Sequence, residues 1–140
     1  MTITQLIYVS DLRSGQESQL GAILESAVRH NQQDGITGML LYSEGNFLQV
    51  LEGETATVDA TYARIEKDAR HHNLILLSRE DVARRHFGNW SMGYRQLAPD
   101  DVARFPAYAP YFQFGFQALK LQGAPGTALD MLELFAHGML

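Results

Sequence analysis

The sequence predicts an α+β fold: a ferredoxin-like βαββαβ unit with one additional strand, and a C-terminal helical extension covering the other sheet face. Three observations carry this. Strand-like and helix-like apolar periods alternate in the order strand, helix, strand, strand, helix, strand, strand. The first strand is apolar on both faces, as a sheet covered on two sides requires. Beyond Leu97 the pattern breaks into short pieces punctuated by Pro99, Pro106, Pro110, Gly123, Pro125 and Gly126.

Ile3 to Ser10 reads as the first strand, with Ile3, Ile7 and Val9 on one face and Leu6 and Tyr8 on the other. Ser14 and Glu17 have the S-x-x-E spacing of a capping box. Leu20, Ile23, Leu24, Ala27 and Val28 then recur at helical spacing as far as Gly35, a natural stop. Ile36 to Tyr42 and Phe47 to Leu51 are apolar runs joined by a short Gly-containing loop, which makes a hairpin. A second helix is predicted from Thr55, burying Val58, Tyr62, Ile65 and Ala69 and ending in Arg70, His71 and His72, cations that suit a helix C-terminus. Leu74 to Leu77 reads as a buried strand and the segment around Trp90 to Arg95 as the last. The extension gathers Tyr108, Tyr111, Phe112, Phe114 and Phe116, and a final helix starts at Thr127 with Leu132, Phe135 and Ala136 as its apolar stripe.

Composition excludes several function classes. With 46% hydrophobic and 19% charged residues the chain of 140 residues is ordinary globular protein, enough for one core. Sixteen acidic against eleven basic residues leave a formal charge of -5, which argues against a nucleic-acid partner. The absence of cysteine removes disulfides, thiolate metal sites and thiol nucleophiles. The N-terminus lacks the pattern of a signal peptide, and no apolar run reaches the roughly 18 residues of a membrane helix, so a cytoplasmic protein without a membrane contact is expected.

Generic catalytic motifs are missing: there is no G-x-G-x-x-G, P-loop, G-x-S-x-G or H-E-x-x-H. His71 and His72 are helix neighbours in this reading, pointing about 100° apart, so no metal site is expected. His86 and His137 read as surface histidines. Gln49 is more informative, because it lies among apolar residues in FLQVLEG. A buried amide without partners would cost on the order of 1 to 3 kcal/mol, so something polar must face it. Tyr8 on a central strand has the same need. Asn31 closes the first helix, where its amide can sit beside the sheet. Taken singly, each is equally a satisfied core polar group or a cap.

Taken jointly, the pattern resembles the BLUF family of flavin-dependent blue-light sensors. The resemblance runs over residues 3–95: LIYVS with Tyr8, the pair His30 and Asn31, ITGML from Ile36, FLQVLEG with Gln49, RIEKDARHHN, and RHFGNWSMGY with Trp90 and Met92. It implies noncovalent FAD held between the two helices and against the sheet, with residues 1–97 as the sensor domain and 98–140 as a cap or interaction extension. By family position Asn31 would bond the polar edge of the flavin, Gln49 would lie near its N5 and C4 carbonyl, and Tyr8 would contact Gln49. Ile23 and Ile65 would pack the two ring faces, and Arg64, Lys67, Asp68, Arg70 and His71 would serve the flavin edge and polar tail. His30 matches a ring-adjacent position of some members. Many members carry Ser four residues before the Asn; this chain has Ala27, so a hydroxyl contact from there is not implied.

The residue types suit those roles. A flavin edge alternates donors and acceptors, which a carboxamide matches with both its ends. Excited flavin is a strong oxidant and Tyr8 an oxidisable side chain. Gln49, between them, reverses its hydrogen-bond offer on rotation or tautomerisation. Trp90 and Met92 would pass the change on, and a full population reversal would need roughly 5 kcal/mol, so a metastable lit state is expected. With no room for an attached catalytic domain, output is expected in trans, to an effector protein or through self-association, and the chain is not expected to be an enzyme. The rival reading is a small ferredoxin-like enzyme or ligand-binding module, colourless or indifferent to light.

Overall fold

The computed structural model describes residues 2–88, 90–113, 115–116, 118–122 and 126–137. Five strands, β1 (Ile3–Leu12), β2 (Thr37–Ser43), β3 (Asn46–Glu54), β4 (His71–Val82) and β5 (Gly93–Gln96), form one sheet in the order β4-β1-β3-β2-β5. β3 runs antiparallel to both β1 and β2, β4 antiparallel to β1, and β5 parallel to β2. This is the ferredoxin-like order with β5 added beside β2. Helices α1 (Leu20–Asp34) and α2 (Thr55–Glu66) serve one face of the sheet.

Strand alternation sorts the core into two layers. Leu6, Tyr8, Leu12, Leu40, Phe47 and Leu51 face α1 and α2, where they meet Ile23 and Val58. Ile7, Val9, Met39, Leu41, Leu48 and Val50 face the other way, against Phe116, Leu119, Met131, Leu132 and Phe135. The extension supplying these is α3 (Pro99–Arg104), α4 (Ala109–Gln113), α5 (Ala118–Gln122) and α6 (Thr127–His137). The second face is thus covered, as the apolar first strand implies. Phe114, Gly123 and Pro125 lie outside the described residues, as do the side chains of Phe112 and His137. Among the described residues no helix is long and apolar enough to cross a membrane.

Two glycines are geometrically required. Gly35 ends α1 at φ 68, and the N–H groups of Gly35 and Ile36 both return to the Asn31 carbonyl. At Gly38 on β2 an added Cβ would stand 2.0 Å from the Val50 carbonyl oxygen, so no larger residue lets the hairpin close there.

The structure corrects four local expectations. Ser14 and Glu17 form no capping box: Gly15, at φ 85, turns the chain, and a 3-10 turn at Glu17–Gln19 leads into α1. α2 stops at Glu66, so Ala69, Arg70, His71 and His72 lie outside it. The Asp68 carboxylate takes the backbone N–H of Arg70 at 2.9 Å, an Asx-type turn that competes with the helix. His71 and His72 consequently open β4, which is far longer than Leu74 to Leu77. Trp90 and Met92 precede β5 rather than lying within it, because ladder pairing with β2 begins only at Met39 opposite Gly93.

Candidate functional site

Tyr8 on β1 and Gln49 on β3 are direct register partners, and Leu40 on β2 is the next partner of Gln49. Parity turns these side chains toward α1 and α2. The Tyr8 hydroxyl donates to Gln49 Oε1, and Gln49 Nε2 donates to Met92 Sδ at 3.3 Å. Both ends of the buried carboxamide are therefore used. The ring of Tyr62 on α2 meets Tyr8 edge-on with centroids 5.3 Å apart. Burial pushes the Tyr8 phenol far above its ordinary pKa, and Tyr62 and Asp68 add to the effect. The phenol is thus protonated at neutral pH and available as a donor.

Above this floor lies a cavity of about 400 Å³, within the range of small-molecule sites. Ile23 and Ile65 line it from the two helices, Tyr8, Leu40, Gln49 and Leu51 from the sheet, and His30 and Asn31 from the end of α1. Arg64, Lys67, Asp68, Arg70 and His71 complete the lining from the end of α2 and the turn that follows. Asn31 is buried and donates through Nδ2 to the Ser91 carbonyl at 2.8 Å, which ties the cavity to the β4–β5 connection.

A model of the family described as sensors of blue-light using FAD matches residues 3–93. The chain belongs to the BLUF family. It is 34% identical over 126 residues to the blue light- and temperature-regulated antirepressor BluF of Escherichia coli (strain K12), covering 86% of this chain and 31% of that protein. To the photoactivated adenylate cyclase subunit alpha of Euglena gracilis it is 36% identical over 81 residues, 58% of this chain but 8% of the cyclase subunit. The BLUF chain therefore spans less than a third of either relative. Among solved structures, BlsA in its photo-activated state superposes with a TM-score of 0.77 at 28% identity, covering 94% of each chain. This is a blue-light sensor domain of a flavin-binding family.

The BLUF residues fit a flavin. Apolar side chains stand on both helices and on the floor, the carboxamide of Gln49 faces the interior, and three cations stand at the end of α2 and beyond. Asp68 and Arg70 are locked together, with Arg70 Nη2 donating to Asp68 Oδ2 at 2.7 Å. That pairing holds the Asp68 carboxyl below its ordinary pKa. Arg64 faces Asp34 at 3.8 Å across an exposed gap. His71 is buried, with Nδ1 3.2 Å from Ser10 Oγ and its ring centroid 4.9 Å from that of Phe47. Burial lowers its pKa, against a smaller opposing pull from Asp68, so the ring is neutral. His30 Nδ1 lies 2.8 Å from the Ser26 carbonyl, which can only accept, so Nδ1 is the donor in this contact.

All eleven residues expected to contact the cofactor line this one cavity. Trp90 and Met92 part company. Met92 is buried against Gln49, whereas Trp90 is half-buried and packs against the core layer under the extension. Sequence reasoning missed Ser26, Leu40, Leu51 and Thr61, although helical spacing from Ile23 and Ile65 and strand parity with Gln49 point to them. Ser26 Oγ stands 3.3 Å from His30 Nδ1, so a hydroxyl does reach the cavity, one residue before Ala27. His86 is no isolated surface histidine: its Nδ1 lies 2.8 Å from Glu133 Oε1 on α6. Among the described residues no cluster could hold a metal ion.

Proposed function

We propose that the chain binds FAD noncovalently in the cavity between α1 and α2 and switches the Tyr8–Gln49–Met92 hydrogen-bond chain in response to blue light. The single observation that carries this is that chain itself: a buried phenol and a carboxamide with both ends engaged, both lining one cavity, and a thioether that accepts from the carboxamide. Asn31 and Gln49 would hold the polar edge of the ring, Ile23 and Ile65 its faces, and Arg64, Lys67 and Arg70 the phosphate-bearing tail. A bound flavin supplies, on absorbing blue light, a strong one-electron oxidant beside Tyr8.

The chain's own residues do the rest. Tyr8 is the oxidisable group, and its proton has a path to Gln49 Oε1 along the existing hydrogen bond as the electron departs. A carboxamide that rotates, or exchanges its proton between its ends, presents an acceptor where a donor stood. Met92 Sδ, a weak acceptor, then loses its donor, and the connection carrying Met92 has reason to repack. A state change propagates only through such unequal stabilisation of two arrangements.

The output is read as protein–protein signalling in trans from a cytoplasmic homo-oligomer, with no catalytic activity of the chain itself. The extension over the second sheet face, residues 98–140, would offer the surface for an effector or for self-association. The test is the visible spectrum of the purified protein in darkness, after blue light and during recovery. A flavin spectrum that moves reversibly to longer wavelength is expected. A fixed spectrum overturns the switch, and a colourless protein even after loading with FAD supports the small ligand-binding module instead.

A further inference from the structure

We propose that Glu52 is a positioning residue of the photoswitch: it clamps the β4–β5 connection so that Met92 is presented to Gln49. The proposal rests on the reading of Gln49 and Met92 as switch parts and assigns a role to a residue outside the flavin cavity.

Glu52 lies three positions after Gln49 on β3, and the odd spacing turns the two side chains to opposite faces of the sheet. Gln49 therefore faces the flavin cavity and Glu52 the layer under the C-terminal extension. There Glu52 is fully buried, its carboxyl group in a layer of Ile, Val, Leu and Phe. Such a group persists only when its oxygens are satisfied. Three donors converge on it: Gln5 Nε2 at 3.0 Å and the backbone N–H of His86 at 2.9 Å, both to Oε2, and the backbone N–H of Phe87 at 2.8 Å to Oε1. Two of the three belong to the β4–β5 connection.

A second set of bonds holds the same stretch. Arg85 Nη1 donates to Thr37 Oγ1 and to the Glu52 carbonyl, both at 2.9 Å, and Nη2 donates to the Gly35 carbonyl at 2.8 Å. The connection is thus pinned at residues 85–87 to β3 and to the cap of α1. Its far end is pinned by Asn31 on the Ser91 carbonyl and by Gln49 on Met92 Sδ. Between the two anchor points, the Trp90 carbonyl accepts from the Gly38 N–H at 3.2 Å. The near clamp is buried and made of N–H to oxygen bonds, while Met92, one residue beyond the Asn31 anchor on Ser91, is held to Gln49 by a weak N–H to sulfur contact. When Gln49 reverses, Met92 is the part released, and the Glu52 clamp determines how far Met92 moves and how readily it returns.

The test compares the flavin-loaded full chain with Glu52→Gln, which keeps the shape but sets an amide NH2 against a backbone N–H. Expected are flavin content within about twofold of the unmodified chain, amide exchange at His86 and Phe87 faster by about tenfold, and dark recovery of the red-shifted spectrum altered by about fivefold or more. Arg85→Ala, at a part-buried site, is the second variant should Glu52→Gln fail to fold. It is expected to alter dark recovery by a similar factor, with partial rescue by Arg85→Lys. Fluorescence of Trp90, the only tryptophan, reports on the connection itself. Faster amide exchange with dark recovery within about twofold of the unmodified chain makes Glu52 merely structural and overturns the proposal. An unmodified chain that never shifts its spectrum overturns the switch reading beneath it instead.

Discussion

Tyr8 and Gln49 stand directly opposite each other on β1 and β3, and the phenol of one donates to the side-chain oxygen of the other. Register and parity bring them together, so the backbone positions that carry the contact are fixed by the central ladder of the sheet. Tyr8→Phe leaves Gln49 Oε1 without its donor, at a cost of roughly 1 to 3 kcal/mol in a buried site. Flavin is expected to be retained and the light-driven shift lost. Gln49→Leu is expected to share that outcome. Absorption spectra of the two variants before and after blue light check this, and a normal photocycle in Tyr8→Phe removes Tyr8 as donor.

Asn31 serves two partners, the flavin edge in the proposed complex and the Ser91 carbonyl in the fold. Asn31→Ala is expected to weaken flavin retention by about 0.5 to 1.5 kcal/mol for each ring hydrogen bond lost, roughly twofold to tenfold in Kd. Flavin titration of the apoprotein measures it. The same variant should change the Trp90 emission, because the segment holding Ser91 loses its anchor.

Among the described residues Arg64 and Arg70 have carboxylate partners within 4.0 Å, and no such pair is formed by Lys67. Its charge is the one best placed to meet a phosphate. Lys67→Ala is expected to weaken FAD by about 1 kcal/mol, near fivefold, and to leave riboflavin within about twofold. Equal losses for both ligands would place Lys67 at the ring rather than at the tail.

Acidification should act through His71 before it acts through Asp68. Burial holds the folded pKa of His71 below the ordinary 6.5, so below that pH the unfolded chain binds a proton that the folded chain refuses. Stability is therefore full above pH 6.5 and falls as the pH drops from there toward the folded value. Asp68, held low by Arg70, loses its stabilising contribution only as the pH falls below the ordinary 3.8. His71→Phe is expected to flatten the dependence of Tm on pH between about 7 and 5, measured by thermal unfolding across that range. An unchanged slope assigns the acid sensitivity elsewhere.

The ferredoxin-like order and the two-sided sheet were legible because each rests on a local period, and the residues of the cavity were legible through the resemblance of their segments to the BLUF family. Strand parity separates Leu6 and Tyr8 from Ile7 and Val9, and helical spacing aligns Ile23, Ala27 and Asn31. The end of α2 was not legible. Arg70 and His71 resemble a cationic helix terminus, yet the Asp68 side chain captured the backbone and sent His71 into β4, where it is buried. Competition between a side chain and the helix for one N–H is settled by a few atoms, which no periodicity reports.

What the sequence by itself determined is the order of strands and helices in the sensor unit and the faces they bury, because these follow from side-chain chemistry at periods of two and 3.6, while the residues gathered at the cavity were implied by the family resemblance. What only the tertiary structure decided is how the non-repetitive β4–β5 connection lies. Met92 comes to Gln49 while Trp90 turns to the opposite core layer, and the buried Glu52 holds the backbone of His86 and Phe87. A connection has no period to read. Its path is set by which distant donors and acceptors must be satisfied once the sheet has closed around them.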